Sequence, residues 1–208
     1  REYSEISWGA EWSAVTTTFW YSKLEVEGQP INGMDWFASR LEAIPFETPK
    51  WTSAEFFTST DYRRTVALDG FIKRRWRPEV PDWNEFFLRL APRFRFSDKL
   101  SADYVWSWQV RHNERGWVSL ETDAMGNPVS LFGRRENPSH THVLNASYIF
   151  TPTSSLSARI RHYWSIVDYE EFFELNVDGT LNGDTPFSDL MDESNGTSSR
   201  DLNYNAWS

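Results

Sequence analysis

Apolar and polar side chains alternate along residues 84–111, and this alternation constrains the fold more than any other feature of the sequence. The even positions from Phe86 to Phe96 are apolar, whereas several odd positions are arginines. A period of two is that of a β-strand with one apolar and one polar face. Residues 97–99 have turn chemistry, and the alternation resumes from Leu100 to Val110. The stretch therefore predicts a long antiparallel hairpin.

The two strands of this hairpin are too long for most soluble sheets. Each has roughly eleven alternating residues, whereas strands in soluble proteins usually have about five or six. A tilted strand that crosses a bilayer needs about 9–11 residues. Lipid is therefore a candidate solvent for the aromatic face. The chain contains no run of about eighteen apolar residues, which excludes a transmembrane helix.

The composition is compatible with a transmembrane barrel. Aromatic residues make up 17% of the chain, with 12 tryptophans, yet the mean hydropathy is −0.60. Barrels have this profile because the lumen, turns and loops dilute the lipid-facing side chains. The net charge of −9 argues against nucleic acid as a partner. The absence of cysteine excludes disulfides and thiolate metal sites, and it fits an envelope protein as well as a cytosolic one.

Alternation and turn residues along the whole chain predict nine strands. They are residues 5–26, 34–44, 51–60, 64–76, 84–96, 100–112, 139–150, 155–173 and 201–208, with long loops at 113–138 and 174–200. Short links after the odd-numbered strands and long loops after the sixth and eighth are typical of outer-membrane barrels. The expected fold is all-β, an antiparallel up-and-down transmembrane β-barrel that occupies residues 1–208 as a single region.

Nine strands do not close a typical barrel, because single-chain bacterial barrels have an even number of strands. The chain also begins at Arg1 without an initiator methionine. We therefore expect a partial barrel that belongs to a longer protein.

The two faces of the predicted sheet have different candidate roles. The polar face is expected to line the lumen, where arginines would either attract anionic solutes or simply pair with lumen acids. The lumen-lining candidates are Arg89, Arg93, Arg95, Asp103, Arg159 and Arg161. The lipid-facing candidates are Leu88, Leu90, Phe94, Tyr104, Trp106, Trp108, Leu144, Tyr148, Ile160 and Trp164.

The tryptophans have two interpretations. In a soluble sandwich, exposed rings would stack on sugars, whereas in a barrel they would form interfacial girdles. Trp8 and Trp12 are four residues apart and Trp106 and Trp108 are two apart, so each pair lies on one face of a strand. This spacing coats a whole face and would overfill a sugar-binding platform, which favours the barrel.

Candidate catalytic and metal-binding residues are few, and the chain has no nucleophile elbow, phosphate loop or zinc-protease motif. His140 and His142 share a strand face, but two exposed histidines at a strand end are a better interpretation than a metal site without further ligands. Glu170, Glu171 and Glu174 would offer a glycosidase carboxylate pair only at a separation of roughly 5 or 9 Å. Carboxylates at a barrel mouth more often solvate the rim.

The acidic segment that follows is a candidate calcium site. It contains Asp178, Asp184, Asp189, Asp192 and Glu193. Their spacing fits no EF-hand, so a disordered acidic loop is the better interpretation. We predict no catalytic residue, no metal and no cofactor.

Several segments resemble a known bacterial family. They are Phe-Gly-Arg-Arg at 132–135, Asn-Ala-Ser-Tyr-Ile-Phe-Thr-Pro at 145–152, Leu-Ser-Ala-Arg-Ile-Arg-His-Tyr-Trp-Ser at 156–165, Asp-Gly-Thr-Leu at 178–181 and Asn-Tyr-Asn-Ala at 203–206. On these segments the sequence resembles the C-terminal outer-membrane β-barrel region of the "domain of unknown function 5916" family, whose members usually carry an upstream domain like carbohydrate-binding module family nine. The resemblance is clearest from residue 88 to residue 206.

The resemblance implies an outer-membrane β-barrel of unassigned activity in a Gram-negative envelope. Family members continue past the position of Ala206 into further strand sequence, whereas this chain ends at Ser208. A barrel-targeting terminal strand is therefore expected to be missing, together with the upstream domain.

We expect a bacterial outer-membrane protein that binds a solute at the surface or transports it, with no catalysis of its own. The expected partners are membrane lipid and a carbohydrate or other envelope proteins, the carbohydrate through the missing upstream domain. A soluble all-β carbohydrate-binding domain is the alternative, and a glycoside-active enzyme comes third.

Overall fold

The structure, a computed structural model, consists of β-strands joined by turns and loops, and it describes residues 6–184, 191–192, 197–198 and 200–208. The strands are β1 (Trp8–Val15), β2 (Tyr21–Gln29), β3 (Gly33–Asp35), β4 (Phe46–Thr48), β5 (Trp51–Ser59), β6 (Val66–Trp76), β7 (Asn84–Arg95), β8 (Leu100–Thr122), β9 (Pro128–Thr151), β10 (Ser154–Leu175), β11 (Leu181–Asn182), β12 (Met191–Asp192), β13 (Thr197–Ser198) and β14 (Leu202–Trp207). In this described part of the chain, no helix is long and apolar enough to cross a membrane.

Ten of the strands form one antiparallel sheet in the order β1-β2-β5-β6-β7-β8-β9-β10-β11, with β14 also paired to β10. The strands β3 and β4 pair separately, and so do β12 and β13. Within the described residues, the pairing ends at β1 on one edge and at β11 and β14 on the other, so the sheet is open. The expectation of an all-β, antiparallel fold is confirmed.

The first predicted strand, residues 5–26, is two strands instead of one. β1 and β2 form a hairpin, and Thr16 N donates to Trp20 O at 2.8 Å across its turn. Phe19 has a φ of 62°, the left-handed region that lets the chain reverse. The adjacent rings of Phe19 and Trp20 lie at this turn.

The second predicted strand, residues 34–44, is mostly turns. Only the short β3 lies in it, and the Asp35 carboxylate then accepts hydrogen bonds from Phe37 N and Ala38 N. Arg40 and Ala43 have φ values of 58° and 61°, which a strand cannot contain. The prediction merged two strands into one at residues 5–26 and placed an extra strand at residues 34–44. These two errors cancel in the count of strands, so every strand from β5 to β10 runs in the predicted direction.

The predicted loop at residues 113–138 is the outer half of a long hairpin. β8 has 23 residues and β9 has 24, joined by a turn in which the Asp123 carboxylate accepts from Met125 N and Asn127 N. Register shifts at residues 111–114 and 117–119 mark β-bulges in β8. Each bulge moves the alternation by one residue, which hides the strand from a period-two pattern.

The predicted loop at residues 174–200 begins with the end of β10 and contains β11, β12 and β13. Its residues 185–190, 193–196 and 199 lie outside the described residues.

The main sheet has two different ends. The turn end carries the short connections 16–20, 60–65, 96–99 and 152–153. The hairpin end carries the connections 30–50 and 77–83 and the projecting outer halves of β8, β9 and β10. The link 27–33 was predicted to be on the side of the short turns, but it lies at the hairpin end.

The described apolar core is at the hairpin end. One cluster contains Phe46, Trp83, Phe132 and Leu175, and a second contains Leu131, Tyr169 and Phe172. Neither cluster includes a residue of β1, β2, β5 or β6. The core therefore fixes the projecting hairpin and the connections 30–50 and 77–83, and the described residues toward the turn end contribute no such cluster.

Candidate functional site

The even-numbered positions of β1, β2, β5, β6, β7 and the adjoining halves of β8, β9 and β10 form an apolar face that is largely exposed. The register aligns one row across it, which contains Trp12, Leu24, Phe56, Ile72, Leu88 and Trp108. Trp12 is 60% exposed, and Leu24, Phe56 and Ile72 are also exposed. All ten lipid-facing candidates lie on this face: Leu88, Leu90, Phe94, Tyr104, Trp106, Trp108, Leu144, Tyr148, Ile160 and Trp164.

The opposite, polar face carries charged side chains that pair with one another across strands. Lys73 contacts both Glu27 and Glu55, and Arg111 lies 3.7 Å from Glu85. The Glu55 and Glu85 side chains are only 16% and 17% exposed. Charged groups are thus more sheltered than the apolar rings on the other face, which reverses the usual order of burial.

All six lumen-lining candidates lie on the polar face. The register aligns Arg93, Asp103, Asn145 and Arg159 in one row. Asn145 Nδ2 donates to Asp103 at 2.6 Å, whereas no arginine forms an ion pair with Asp103 in the described part of the chain. The remaining candidates on this face are Arg89, Arg95 and Arg161.

Two open clefts on the polar face contain four of these candidates. Each has a volume of about 290 Å³, and both include Asp103. Arg93 and Arg95 line one cleft and Arg159 lines the other. Their role in attracting anions stays a prediction.

A belt of amphipathic rings crosses the apolar face toward the hairpin end. It contains Trp106, Trp108, His140, His142, His162, Trp164 and Trp207. His140 lies between Trp108 and Trp164, with ring centres 6.3 and 5.5 Å away. His142 Nδ1 forms a 2.6 Å hydrogen bond with the Tyr104 hydroxyl. Among the residues that the structure describes, no three histidine or carboxylate side chains are placed to hold a metal ion.

A cavity of about 720 Å³ opens at the hairpin end. Seven aromatic side chains line it, namely Trp36, Phe37, Phe46, Trp51, Trp83, Trp117 and Phe132. Three arginines, Arg75, Arg77 and Arg115, also line it, and Asp35 is the one acid among its described lining residues. We call this the aromatic–arginine cavity.

The guanidinium groups of the cavity lie over indole rings. Arg75 Cζ is 4.1 Å from the ring centre of Trp51, and Arg77 Cζ is 4.0 Å from that of Trp83. The Trp51 ring is fixed in turn, because its Nε1 donates to Gln29 Oε1 at 3.1 Å. Cation–π contact holds these flat cations in defined orientations.

The positive charge of the cavity is poorly compensated within the described residues. Arg75 has carboxylates only at 3.9 and 4.0 Å, and its Nε is buried without a hydrogen-bond partner there. Arg77 donates to Trp83 O at 3.4 Å and forms no ion pair in that part of the chain. Burial, with the neighbouring Arg75 charge, lowers the pKa of Arg77 to about 10, so Arg77 is still cationic at neutral pH.

The turn Asp178–Gly179 supports one wall of the cavity. Glu47 N donates to Gly179 O at 2.8 Å, and Phe46 stacks on Phe132 with ring centres 4.5 Å apart. Gly179 has a φ of +91°, and a Cβ placed there would lie 2.9 Å from Pro45 O. Only glycine fits this contact without displacing the wall.

Gly179→Ala is therefore expected to loosen the segment 31–49. Gly126→Ala is the matched control, because Gly126 has a φ of +87° but open space around it. Both changes carry a backbone cost of roughly 1–2 kcal/mol, and only Gly179→Ala adds a clash with the wall. We expect faster tryptic cleavage after Arg40 in Gly179→Ala than in Gly126→Ala. Equal cleavage of the two variants would show that this turn does not hold the wall.

The predicted acidic candidates are not gathered into a site. Glu170 and Glu171 both contact Arg134, at 3.4 and 3.5 Å. The Asp178 carboxylate accepts hydrogen bonds from the Thr180 hydroxyl and backbone N, and these lower the pKa of Asp178.

The other acidic candidates give no calcium ligand set in the described residues. Glu174 pairs in register with Asn182, and Asp184 N donates to Asn182 Oδ1. Asp189 and Glu193 lie outside the described residues, as does the side chain of Asp192.

Sequence reasoning missed the aromatic–arginine cavity. Its rings come from segments that interrupt the alternation, above all the poorly patterned residues 34–44 and the Pro-rich link 77–83. Three tryptophans and two arginines in or beside these links were the available signal: Trp36, Trp76, Trp83, Arg75 and Arg77. Trp76 itself lies on the apolar face, next to the cavity arginines in sequence.

The geometry defines a class of protein, an antiparallel β-meander with an exposed apolar face, a paired polar face and an aromatic–arginine cavity at one end. A family model described as "Domain of unknown function (DUF5916)" matches residues 1–208, and the chain belongs to this family. No curated protein and no solved structure matches the chain.

Proposed function

We propose that the chain is part of an outer-membrane β-barrel that binds a solute at its hairpin end or passes it across the bilayer. The observation that carries the proposal is the reversed burial of the two sheet faces. Exposed rings such as Trp12 would be solvated by lipid, and the paired charges around Lys73 would face the interior. A water-soluble sheet would bury the apolar face instead.

The height of the apolar face supports the same proposal. Its lower row contains Leu100, Tyr148 and Leu156, and its upper row contains Trp108, His140 and Trp164. The rows are eight residues apart along β8, which is about 27 Å at ~3.4 Å per residue. Strand tilt reduces this height, which stays of the order of the ~25 Å apolar band of outer-membrane barrels. The ring belt would lie at one interface, as girdles do.

The open edges support a barrel that further strands complete. Lipid cannot satisfy unpaired backbone groups, so a sheet of this kind needs partners for β1 and β14 in a bilayer. The proposed partners are thus lipid, further strands or envelope proteins, and a solute such as a carbohydrate. The exposed rings extend over several rows of the sheet, which favours this interpretation over a soluble carbohydrate-binding domain.

The test uses single cysteines along β10, because the chain has none of its own. Fluorophores at Leu156, Ala158 and Ile160 would report the apolar face, and those at Ser157, Arg159 and Arg161 the polar face. In lipid vesicles, spin-labelled lipids are expected to quench only the first set. Quenching without alternation, or full access of iodide to the first set, would overturn the proposal.

A further inference from the structure

We propose that the aromatic–arginine cavity binds a small organic anion in which an oxyanion group is attached to a ring with an apolar face, such as a sugar acid or an aromatic acid. The inference deepens the proposed solute binding and rests on it for its biological role. Its chemistry does not require that the sheet lie in lipid.

The arginines identify the charge of the ligand. Three guanidinium groups line the cavity in a chain whose net charge is −9, so their convergence is local and runs against the overall charge. Asp35, the acid among the described lining residues, already accepts two backbone hydrogen bonds from its own loop. Guanidinium groups bind carboxylate, phosphate and sulfate oxygens through paired N–H donors.

Arg75 and Arg77 are the best placed of these donors. The Arg75 Nε is buried and has no hydrogen-bond partner within the described part of the chain. Arg77 is cationic, and in that part of the chain it contacts the carbonyl oxygen and the ring of Trp83. A buried donor without a hydrogen-bond partner is costly, and a bound oxyanion would accept this hydrogen bond and remove that cost. Arg115, in contrast, has Asp82 at 3.6 Å.

The rings at the cavity indicate the rest of the ligand. Trp36, Phe37 and Trp117 line the cavity and are exposed, Phe37 by 84%. The rings of Trp51 and Trp83 each lie under a guanidinium group, so they act as supports for the arginines. Exposed rings beside a cavity stabilise a ligand that has an apolar face of its own.

The size of the cavity favours an organic anion over an inorganic one. Its volume of about 720 Å³ lies within the range of roughly 300–1,000 Å³ that is typical of small-molecule sites. A ring with its oxyanion, or two linked rings, fits such a space, whereas sulfate would leave the aromatic walls unused.

The experiment measures binding calorimetrically to the full-length protein in detergent micelles. The probes are digalacturonate, naphthoate, the neutral disaccharide galactobiose and sodium sulfate. We expect at least one of the two ring acids to bind, and galactobiose and sulfate to bind at least ~10-fold more weakly, the equivalent of one charge-assisted hydrogen bond. Binding of either acid supports recognition of an oxyanion attached to a ring, and the acid that binds shows whether the ring is that of a sugar or an aromatic one. Equal affinity for galactobiose or for sulfate, or no binding of either acid, would overturn the proposal.

The variants locate the binding to this cavity. Arg77→Gln and Trp36→Ala are each expected to lower the affinity for the bound acid about tenfold. Arg63→Gln, which removes an arginine from the connection 60–65 at the turn end of the sheet, is the control and should leave affinity unchanged. If Arg77→Gln does not fold, the exposed Trp36 still provides the test. An equal effect of Arg63→Gln would place the site elsewhere and refute the inference.

Failure here and failure of the membrane proposal are distinguishable. Lipid quenching on β10 with no ligand binding would refute only the proposal of a ligand site in the cavity. Ligand binding without lipid quenching would refute only the membrane proposal.

Discussion

Phe132→Ala is expected to lower the free energy of unfolding by roughly 3–5 kcal/mol, the usual cost of truncating a fully buried phenylalanine. Phe132 is 1% exposed and lies in the cluster that joins the projecting hairpin to the connections 30–50 and 77–83. Its loss removes the stacking partner of Phe46 and leaves a void under the cavity wall. Urea unfolding in detergent micelles measures the change.

Phe37→Ala is the matched control, because it removes the same atoms from the rim of the same cavity. Phe37 is 84% exposed, and exposed substitutions usually change stability by no more than about 0.5 kcal/mol. A comparable loss of stability in both variants would mean that the cluster around Phe132 is not the core of the hairpin end.

Sequence reasoning correctly predicted the parts of the fold in which apolar and polar residues alternate along the chain. In β6, β7 and the first half of β8, the pairing contains no bulge and most residues follow a period of two, so both the strands and their faces could be predicted. The faces of Leu88 and Arg89 follow from this pattern alone. Face assignment does not need tertiary information, because a strand presents adjacent residues to opposite sides.

The parts that sequence reasoning missed depend on backbone conformations that residue type does not specify. Phe19 and Asn113 have positive φ values of 62° and 50°. Neither is a glycine, the residue that usually signals such a conformation in a sequence. One makes a hairpin from what looked like a single strand, and the other lies at a bulge in β8. Strand pairing over many residues on either side offsets the energetic cost of these conformations. A local sequence pattern does not show this pairing.

The aromatic–arginine cavity could not be predicted for a different reason. Trp51, Trp83 and Trp117 are far apart in the sequence and meet only because β5, β7 and β8 bring their ends together at the hairpin end. The wall around Phe46 also depends on the contact with Gly179, which lies more than a hundred residues away. The residue types of the cavity can be seen in the sequence, but the pairing register of the strands determines that they come together.

The two ends of the sheet thus follow different rules of burial. At the hairpin end, rings pack against one another in small closed clusters, as in a water-soluble domain. Toward the turn end, apolar side chains such as Leu144 and Ile160 cover one face without a layer against them.

A charge on the apolar face is expected to have an effect that depends on its depth. Ile160 aligns with Tyr104 and Leu144, midway between the lower apolar row and the ring belt, whereas Leu156 lies in the lower row itself. In a bilayer, Ile160→Arg should destabilise the folded protein by about 2–4 kcal/mol, because the charge lies near the midplane. Leu156→Arg should cost only about 0–1 kcal/mol near the interface.

The comparison is informative because both side chains are apolar, lie on the same face of β10 and are more than half exposed. In water, arginine at either position would be solvated, and both variants would be within about 0.5 kcal/mol of the parent protein. Folding of the full-length protein into lipid vesicles, followed by urea titration, measures the two free energies. A cost at Ile160 that exceeds the cost at Leu156 by at least ~1 kcal/mol is the expected gradient. Equal and small costs would mean that water, not lipid, solvates this face.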